Sequence, residues 1–562
     1  MIKIKVGKKE GKRSKYLFVK FKYQSDVVER IKQLPRRVYQ NGMWEIPEAD
    51  FKLVLEQLYE YDLEFYGDLT DNMKTVLALE EQMSSQEPDN TFKFKTKPFP
   101  HQLDCFEYAK DHPCFILGDE QGLGKTKQTI DIAVARKNQF KHCLIICAVN
   151  GLKWNWQQEI LVHSNEKGHI LGQRINKKGN LVIEGVKKRL EDLKKPHDEF
   201  FLITNIETLR QPEVANQIEK MCKQGIIGMT VIDEVHRCKS STSVQGKAIQ
   251  KCCSYYKMAL TGTPLMNSPI DLYNVLHWIG VEPHSLSQFK SYYCNMGGYC
   301  NTDIVGYKHL DRLSDKLDSC MIRRLKAEVL DLPPKIRSVE YVDMTDKQAK
   351  LYEDVRQEIL DNIDKVLLCP NPLVELVRLR QCTGYCGILS TKIQDSVKFN
   401  RLTQLLDDIT KEGGKAIVFS NWTSIINPLV DILKKYKPAV ITGDTKDRVS
   451  EQDRFMNDSS CKVILGTIAA MGTGLTLTAA NTVIFMDECW NMANQEQAED
   501  RAHRIGTKST VNVISLICKN TIDEQIHEMV MQKGRMAKLI VDGEIFSQEN
   551  RKSLVNYLLG VD

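Results

Sequence analysis

The chain has 562 residues, 42% of them hydrophobic and 27% charged, and its formal net charge is +5. A single core rarely grows beyond ~250 residues, so this length predicts three or four domains. The composition is ordinary for a soluble globular protein. No apolar run approaches the ~20 residues of a membrane span, and the lysine-rich start lacks the apolar core of a secretory signal. We therefore expect no membrane association and a cytosolic-type compartment.

Cysteine usage favours the same compartment. The 17 cysteines are better explained as reduced thiols than as a disulfide framework. The closest pairs to a zinc site are Cys382 with Cys386 and Cys294 with Cys300. Neither has C-x-x-C spacing or an adjacent histidine pair, so we expect no structural zinc ion.

Positive charge is concentrated at the start of the chain, where residues 1–40 hold 13 Lys and Arg against three acids. Such a cluster is typical of a polyanion-binding patch, but an ordinary solvated basic surface has the same composition. Both interpretations remain open from composition alone.

Residues 1–67 have the pattern of a small α+β domain. Alternating apolar residues predict a strand over 16–23, and a helix-like pattern follows until Pro35. Asn41-Gly42 predicts a hairpin turn because both residues tolerate a positive φ. A second helix is predicted after it, and the polar, mostly acidic stretch 68–91 fits a linker.

The rest of the chain predicts two α/β domains in tandem, over residues 92–280 and 396–540. Each alternates short apolar runs with helical segments, as buried parallel sheets require. The predicted strands begin at Cys114, Cys143, Phe200, Met229, Tyr256, Lys415, Lys462, Thr482 and Val511. Residues 281–395 are predicted to be mainly helical with a break at Pro333-Pro334, and residues 541–562 form a tail.

The segment FILGDEQGLGKTKQTIDIA, which begins at Phe115, resembles a phosphate-binding loop but has Asp119 where the usual spacing has its first glycine. Backbone N–H groups at the following helix N-terminus would bind phosphate, and Lys125 would neutralise its charge. The Thr126 hydroxyl would hold Mg²⁺. Taken alone, an accidental glycine-rich turn remains an alternative.

A second motif, MTVIDEVH, places Asp233 and Glu234 at the end of a predicted buried strand. An aspartate there completes a Mg²⁺ shell, and the next carboxylate orients or deprotonates water. A solvated acidic strand end is the alternative, which the upstream phosphate loop makes less attractive.

A third motif, NQEQAEDRAHRIG, places Arg501 and Arg504 three residues apart and therefore on one face of a predicted helix. They fit either a surface ion-pair row with Glu496 or Glu499, or arginine fingers that stabilise phosphoryl transfer. Two domains, one with the phosphate loop and one with the fingers, indicate a motor that closes on ATP.

Together these motifs resemble the SWI/SNF-type branch of superfamily-two helicases, whose first motif has the form D-E-x-G-L-G-K-T. The resemblance covers residues 95–535 and explains Asp119 as the family form. The matching segments are DEQGLGKT, FPHQ, LIICAVNGLKWNWQQE, ITNIETL, DEVH, LTGTPLMN, MIRRLKAEVLDLPPK, IVFSNW, TGDT, GTGLTLTAA, DECWN and QAEDRAHRIG.

The resemblance implies two RecA-like lobes with helical protrusions, and ATP and Mg²⁺ as cofactors. It implies Lys125, Asp233, Glu234, Arg501 and Arg504 as catalytic residues, with Glu234 as the base and Thr126 and Asp233 as Mg²⁺ ligands. The implied ATP-binding residues are Gln102, Asp119, Gly122, Leu123, Gly124, Lys125 and Thr126. The implied coupling residues are Thr261, Gly262, Thr263, Gly472, Gly474 and Gln497.

Further residues are expected to contact nucleic acid or brace the lobes. The resemblance places Thr204, Ser420, Thr467 and Trp490 in segments along the nucleic-acid path, and the basic N-terminal unit adds Lys20, Lys22, Arg36 and Arg37. Arg323, Arg324 and Lys326 either contact backbone phosphate or brace the lobes, and we favour bracing. Two departures from the family pattern, Thr507 for glutamine and Met492 for proline, remove no catalytic group.

The N-terminal unit also resembles the HARP-type module of annealing helicases, through FVKFKY, LPRRVY and WEIP. That resemblance implies double-stranded DNA, branched or forked, as the partner, and we expect a monomer. No bromodomain-, chromodomain- or SANT-like segment is evident, so we expect a minimal bacterial or phage enzyme in the cytoplasm, or a nuclear one if the source is eukaryotic. A strand-separating helicase on single-stranded DNA or RNA, and a non-enzymatic DNA or polymerase clamp, remain alternatives.

Overall fold

The computed structural model describes the chain except residues 1, 10–14, 35, 59–60, 71–72, 75–76, 78–91, 149–151, 176–180, 263–268, 298–302, 331, 364–372, 473–474, 491, 505, 508, 533–557 and 560–562. The chain forms two compact units, residues 1–120 with 124–325 and residues 121–123 with 326–562. Among the described residues, no helix combines the length and apolar character needed to cross a membrane.

The N-terminal domain is a five-stranded sheet with two helices. Its strands follow the order β3-β4-β2-β1-β5, with β1 parallel to β5 and the other pairs antiparallel. Asn41 and Gly42 have φ of 53° and 75°, which confirms the predicted hairpin turn. The elements are β1 (Ile2–Lys8), β2 (Lys15–Lys20), α1 (Ser25–Gln33), β3 (Val38–Gln40), β4 (Met43–Pro47), α2 (Phe51–Gln57) and β5 (Leu63–Gly67).

The sequence prediction missed two strands of this domain, β1 and β5. In β1 the isoleucines and the valine are buried, while the lysines between them are exposed. The lysine-rich start of the chain is therefore a strand with one solvent-exposed face. Buried side chains from both helices and from β1, β2 and β4 form the core on the other face.

The first unit also contains a seven-stranded parallel sheet of order β16-β6-β13-β12-β7-β11-β8. Its central strands are buried along their whole length, because separate apolar clusters cover the two faces of the sheet. The strands are β6 (Cys114–Leu117), β7 (His142–Cys147), β8 (Gly168–Ile170), β11 (Phe201–Asn205), β12 (Ile227–Ile232), β13 (Tyr256–Leu260) and β16 (Met321–Ile322).

Helices and two small antiparallel pairs complete this unit. The pairs are β9 (Gln173–Ile175) with β10 (Leu181–Ile183), and β14 (Cys294–Gly297) with β15 (Asp303–Tyr307). The helices are α3 (Pro100–Asp111), α4 (Lys125–Ala135), α5 (Leu152–His163), α6 (Val186–Leu193), α7 (Ile206–Leu209), α8 (Pro212–Lys223), α9 (Val244–Ile249), α10 (Pro269–Trp278), α11 (Leu286–Tyr293) and α12 (Leu310–Asp318).

The second unit is built on a six-stranded parallel sheet of order β17-β22-β21-β18-β20-β19. Its strands are β17 (Lys335–Val342), β18 (Ala416–Ser420), β19 (Ala439–Ile441), β20 (Val463–Thr467), β21 (Thr482–Phe485) and β22 (Val511–Cys518). Its helices are α13 (Lys326–Val329), α14 (Asp346–Asp361), α15 (Leu373–Gly384), α16 (Val397–Lys411), α17 (Thr423–Ile432), α18 (Arg448–Asn457), α19 (Ile468–Met471), α20 (Met492–Glu499) and α21 (Ile522–Gln532).

All nine strands predicted for the two parallel sheets are present, but four others were missed. Strands β8, β16 and β19 have only two or three residues, too few for a distinct apolar run. Strand β17 is longer, but it lies at the edge of its sheet with most side chains exposed or half-buried. The described part of residues 281–395 holds more helical than strand residues, as predicted, but β16 and β17 each join one of the two sheets.

Candidate active site

Three predicted site segments lie at one edge of the first parallel sheet. The phosphate loop follows β6, Asp233 follows β12, and Thr261 follows β13, which is the strand between them. All three strands run parallel, so their carboxyl ends share an edge, where α/β proteins bind ligands. The Thr261 N–H donates to the carbonyl of Leu117 at 3.1 Å, which fixes the ends of β13 and β6 together.

The loop backbone is shaped for a close approach by a phosphate. Gly124 immediately precedes α4 with φ 78° and ψ 37°, a left-handed conformation that glycine adopts without strain. A Cβ on Gly124 would lie 2.5 Å from Nε2 of Gln102, so the loop backbone and the Gln102 side chain lie close together. Gln102 is buried, and its Oε1 accepts from the Phe99 N–H at 3.1 Å. The predicted nucleotide-recognising glutamine therefore contacts the loop directly.

Lys125 begins the helix and lies over the loop's own carbonyl groups. Its Nζ donates to the carbonyl oxygens of Asp119 and Glu120 at 2.8 and 3.3 Å. Thr126 is half-buried in the first turn of α4, and Gly122 has φ 89°. The N-terminus of α4 thus combines N–H groups, a positive helix end and an ammonium group, which together favour an anion.

Asp119, the residue in place of the usual glycine, is fully buried and takes part in an ion pair. Arg324 donates from Nε to Oδ1 at 2.9 Å and from Nη2 to Oδ2 at 2.6 Å, and Gln128 Nε2 donates to Oδ2 at 3.0 Å. The predicted ATP-binding role of Asp119 therefore needs correction for its side chain, because these donors occupy the carboxylate.

Arg323 and Arg324 both contact the start of the phosphate loop. Arg323 Nη1 donates to the Gly118 carbonyl at 3.0 Å. Both arginines therefore hold the loop within the first unit, and contact with backbone phosphate and bracing of the lobes both stay predictions.

Asp233 and Glu234 leave β12 in a sharp turn. Glu234 has φ 51° and ψ 54°, a left-handed conformation that is uncommon for a residue with a side chain and typical of functional sites. Asp233 Oδ2 accepts from Trp156 Nε1 at 3.0 Å. Burial and the neighbouring Glu234 raise the pKa of Asp233 to about 6, while the Trp156 hydrogen bond and the Lys125 charge lower it. Lys125 and the two carboxylates therefore form one electrostatic cluster.

His236 lies beside the second of these carboxylates, with its Nδ1 3.4 Å from Glu234 Oε2. Burial and the charge of Arg237 lower the pKa of His236 to about 4, so the ring is neutral at neutral pH. It does not neutralise Glu234 there, which leaves the carboxylate suited to act on water.

The predicted arginine fingers lie in the second unit, and their local structure differs from the prediction. Helix α20 ends at Glu499, so Arg501 and Arg504 occupy the turns that follow rather than one helical face. Arg501 Nη1 donates to the Leu475 carbonyl at 3.2 Å, and Arg504 Nη1 donates to Thr476 Oγ1 at 2.7 Å. Both guanidinium groups therefore contact Leu475-Thr476, the two residues that follow Gly474 in the motif GTGLTLTAA.

The acids proposed as alternative partners for these arginines have other partners. Glu499 accepts from Arg337 at 2.7 Å and pairs with Lys335 at 2.9 Å, and Glu496 pairs with Arg337 at 3.3 Å. This arrangement weakens the interpretation of Arg501 and Arg504 as an ion-pair row with Glu496 and Glu499.

Thr507, a departure from the family pattern, has a defined structural role. Its Oγ1 accepts from the Arg504 N–H at 3.0 Å and lies 2.6 Å from the Ala502 carbonyl, to which it donates. The threonine therefore closes the turn that carries Arg504.

The predicted coupling residues are divided between the units. Thr261 and Gly262 are buried beside β13, whereas Thr263 and Gly474 lie outside the described residues. Gly472 ends α19, where a Cβ would lie 2.4 Å from the Ile468 carbonyl oxygen. The Gln497 carbonyl accepts from Arg501 Nε at 3.1 Å.

Three of the residues assigned to the nucleic-acid path are buried. Thr204 and Ser420 are 1% and 0% exposed and Thr467 is 6% exposed, and the Ser420 hydroxyl donates to Asp487. Trp490 is half-buried and packs against the guanidinium of Arg380. Contact between these four side chains and nucleic acid stays a prediction.

The N-terminal basic residues differ in their availability. Lys20 and Lys22 are exposed, whereas Arg36 pairs with Asp50 and Arg37 donates to the Leu34 carbonyl. Lys3 and Lys5 of β1 share the open sheet face with Lys20, which lies opposite Lys3 in the register. The paired Arg36 is also exposed, so contact between these four residues and DNA stays a prediction.

The cysteines show no zinc site among the described residues. Cys382 and Cys386 have their sulfurs 4.0 Å apart without a third ligand grouped with them, and Cys300 lies outside the described residues. The fifteen described cysteines are free thiols, as the sequence predicted.

Trp156 had no predicted role, although it lies in the motif LIICAVNGLKWNWQQE. Its partner Asp233 is 77 residues away, so no local pattern indicated the contact. Arg324 was singled out for its charge, but its partner Asp119 is 205 residues away.

Comparison with known families identifies this arrangement. The SNF2-related domain matches residues 26–386, and the helicase conserved C-terminal domain matches residues 397–506. The chain belongs to the SNF2-related family. This match confirms the family predicted from the motifs, and the two parallel sheets are its tandem RecA-like lobes.

Individual relatives share the core of this SNF2-related protein. The ATP-dependent helicase MG018 of Mycoplasma genitalium is 28% identical over 453 residues, covering 78% of this chain and 42% of the relative. The DNA annealing helicase and endonuclease ZRANB3 of Mus musculus is 27% identical over 482 residues, covering 80% and 41%. The chain thus spans about two fifths of the length of these relatives.

A solved structure with the same family core is also similar. The Sulfolobus solfataricus SWI2/SNF2 ATPase core in complex with double-stranded DNA is 24% identical, with a TM-score of 0.37, and the match covers 85% of this chain and 100% of that chain.

Proposed function

We propose that this SNF2-related protein is an ATP-driven translocase on double-stranded DNA. The observation that carries the proposal is the cluster of Lys125, Asp233 and Glu234 at the carboxyl edge of the first parallel sheet. This cluster places three groups together: Lys125 as a cation for the phosphates, Asp233 as a metal ligand and Glu234 as a base. Membership of the SNF2-related family supports ATP as the fuel.

The residues present fit ATP and Mg²⁺. The left-handed Gly124 leaves room that a Cβ would fill, and the N-terminus of α4 faces the loop. Thr126 and Asp233 would hold Mg²⁺, because a hydroxyl and a carboxylate are oxygen ligands of the kind that it prefers. Bound there, the metal would neutralise charge that develops on the phosphates.

The protein's own groups would then divide the work of hydrolysis. Glu234 orients water and takes its proton, Lys125 leaves the loop carbonyls for the phosphates, and Arg501 with Arg504 stabilise the transferring group. An arginine of this kind contributes roughly 10³ to 10⁵ in rate. Thr261 and Gly262, next to the loop, and Gly472 with Gln497, next to the arginines, would couple hydrolysis to movement of the lobes.

Double-stranded DNA is the proposed track because the relatives include a DNA annealing helicase. The motor would bind DNA phosphates, which carry no base information, so we expect little sequence preference and a steep loss of affinity with salt. Strand separation on single-stranded DNA or RNA, and an ATP-locked clamp, are the competing outcomes.

The decisive measurement is ATP hydrolysis with equal nucleotide concentrations of duplex DNA, single-stranded DNA, forked DNA and structured RNA. Lys125→Ala and Glu234→Gln provide the blanks. Strongest stimulation by duplex or forked DNA supports the translocase. Strongest stimulation by single strands or RNA assigns another track. If no nucleic acid stimulates hydrolysis and both variants match the wild type, the enzymatic function fails and the clamp remains.

The N-terminal domain would bias this motor toward forked DNA through its exposed lysines. Lys20 and Lys22 have the required exposure. A Lys20→Gln/Lys22→Gln variant is expected to lower the ratio of fork-stimulated to duplex-stimulated ATPase. An unchanged ratio in that variant, and in a protein lacking residues 1–90, would remove this domain from substrate choice.

A further inference from the structure

Arg324 contacts the phosphate loop and both neighbouring helices, in addition to its ion pair with Asp119. Besides its two hydrogen bonds to Asp119, its Nη2 donates to Gln128 Oε1 at 3.0 Å and its Nη1 donates to the His101 carbonyl. Its side chain is only 12% exposed and that of Asp119 is 0% exposed. One guanidinium thus joins the loop, the helix after it and the helix that carries Gln102.

The main chain beside Arg324 strengthens the same connection. Strand β16 pairs in parallel with β6, and the pairing continues past both strands into the loop. The Gly118 N–H donates to the Ile322 carbonyl at 2.8 Å, and the Glu120 N–H donates to the Arg324 carbonyl at 3.0 Å. Both the side chain and the backbone of Arg324 therefore fix the dipeptide Asp119-Glu120.

The same dipeptide holds the side chain of Lys125. The Lys125 ammonium donates to the carbonyl oxygens of Asp119 and Glu120. A shift of these two peptide groups would move the resting place of the lysine and reshape the loop in front of α4. This segment of the first unit ends at Leu325, the residue after Arg324.

We propose that Arg324 is a positioning residue for nucleotide binding, which acts through Asp119 on the conformation of the phosphate loop. The proposal rests on the proposed ATP-dependent function and adds a residue outside the loop to it.

The two single substitutions and their combination test this role. Arg324→Gln leaves a buried carboxylate without its cation, and Asp119→Asn leaves a buried guanidinium without its anion, whereas the double variant leaves neither charge uncompensated. Glutamine is too short to span Asp119 and His101 together. In all three, the loop loses its fixed geometry while Asp233 and Glu234 keep theirs.

The expected result is a KM for ATP raised about tenfold or more, comparable to the effect on metal affinity of groups that orient metal ligands. The affinity for the fluorescent nucleotide mant-ADP falls in parallel, and kcat at saturating ATP changes much less. Arg324→Lys, which keeps the charge but not the two-pronged geometry, gives an intermediate KM. Arg312→Gln is the matched control, because Arg312 is 69% exposed and lies 4.0 Å from the exposed Asp311.

Two results would overturn the proposal. One is a folded Asp119→Asn/Arg324→Gln protein, verified by its melting curve, with wild-type KM and wild-type mant-ADP affinity. The other is a loss of kcat with unchanged KM. If the wild-type protein hydrolysed no ATP, the proposed function would fail, but the mant-ADP affinities would still decide the role of Arg324.

Discussion

The Trp156 indole N–H donates to Asp233 Oδ2 at 3.0 Å, which orients the carboxylate expected to hold Mg²⁺. Partners that orient a metal ligand typically account for 10–100-fold in metal affinity or activity, and about tenfold is expected here. Trp156→Phe should therefore raise the Mg²⁺ concentration that gives half-maximal ATPase activity. A Mg²⁺ titration at saturating total nucleotide measures this directly.

Trp154→Phe is the control for that substitution, because Trp154 lies on the same helix and packs half-buried against the same core. It should leave the Mg²⁺ dependence unchanged. Equal titration curves for Trp156→Phe and wild type would show that Asp233 needs no orienting donor.

Arg380 is buried between two indole rings in the second unit. Its guanidinium carbon lies 4.9 Å from the Trp422 ring centre and 5.0 Å from that of Trp490, and its Nη2 donates to the Glu488 carbonyl. The group also lies 4.0 Å from the buried Asp487. Removing one partner of a buried ion pair leaves an uncompensated charge, so Arg380→Met should lower the free energy of unfolding by about 3 kcal/mol.

The neighbouring Arg378 provides the comparison on the same helix. It is 35% exposed and pairs with the exposed Glu358, so Arg378→Met should cost at most about 1 kcal/mol. Urea unfolding of the two variants gives both values. A cost for Arg380→Met no larger than that for Arg378→Met would contradict the inferred role of the two indoles and Asp487.

Thr507 closes the turn that carries Arg504, so its hydroxyl should matter for catalysis. Thr507→Val keeps the shape but removes the hydrogen bonds to Arg504 N–H and the Ala502 carbonyl, whereas Thr507→Ser keeps them. We expect kcat of ATP hydrolysis to fall severalfold in the valine variant and to stay near wild type in the serine variant. Equal kcat values for the two would assign Thr507 to packing alone.

His527 makes the stability of the second unit depend on pH. Its Nδ1 lies 2.9 Å from Glu488 Oε2, and this hydrogen bond, with the nearby Glu528 and Glu524, raises the pKa of His527 above its usual 6.5. A group whose pKa is raised on folding binds its proton more tightly in the folded state. Its stabilising contribution is full below pH ~6.5 and disappears as the pH rises through the folded-state pKa.

The measurement is the midpoint of urea unfolding between pH 6 and pH 8.5. His527→Gln should flatten the decline of that midpoint across this interval, relative to wild type. His309→Gln, which changes a histidine of the first unit, should keep the wild-type slope. An unchanged slope in His527→Gln would exclude the Glu488 pair as its cause.

Local patterns were enough to locate most of the candidate site. The phosphate loop, Asp233 and Glu234 each follow a short apolar strand, and strands buried on both faces are visible as continuous apolar runs. The edge strand β17 lacks this signal, because most of its side chains are exposed or half-buried and polar residues interrupt its apolar ones. Strand β1 lies inside its sheet but has one exposed face, and its alternating lysines were taken only as charge.

The sequence by itself determined the family, the two parallel sheets and the identity of the loop, because spacing along the chain encodes each of them. Tertiary structure alone decided what Asp119 does, since its partner Arg324 is 205 residues away and approaches through β16. It also decided that Arg501 and Arg504 lie in turns, because the helix before them ends at Glu499. Contacts between distant segments depend on how the sheets bring strand ends together, and no local pattern records that distance.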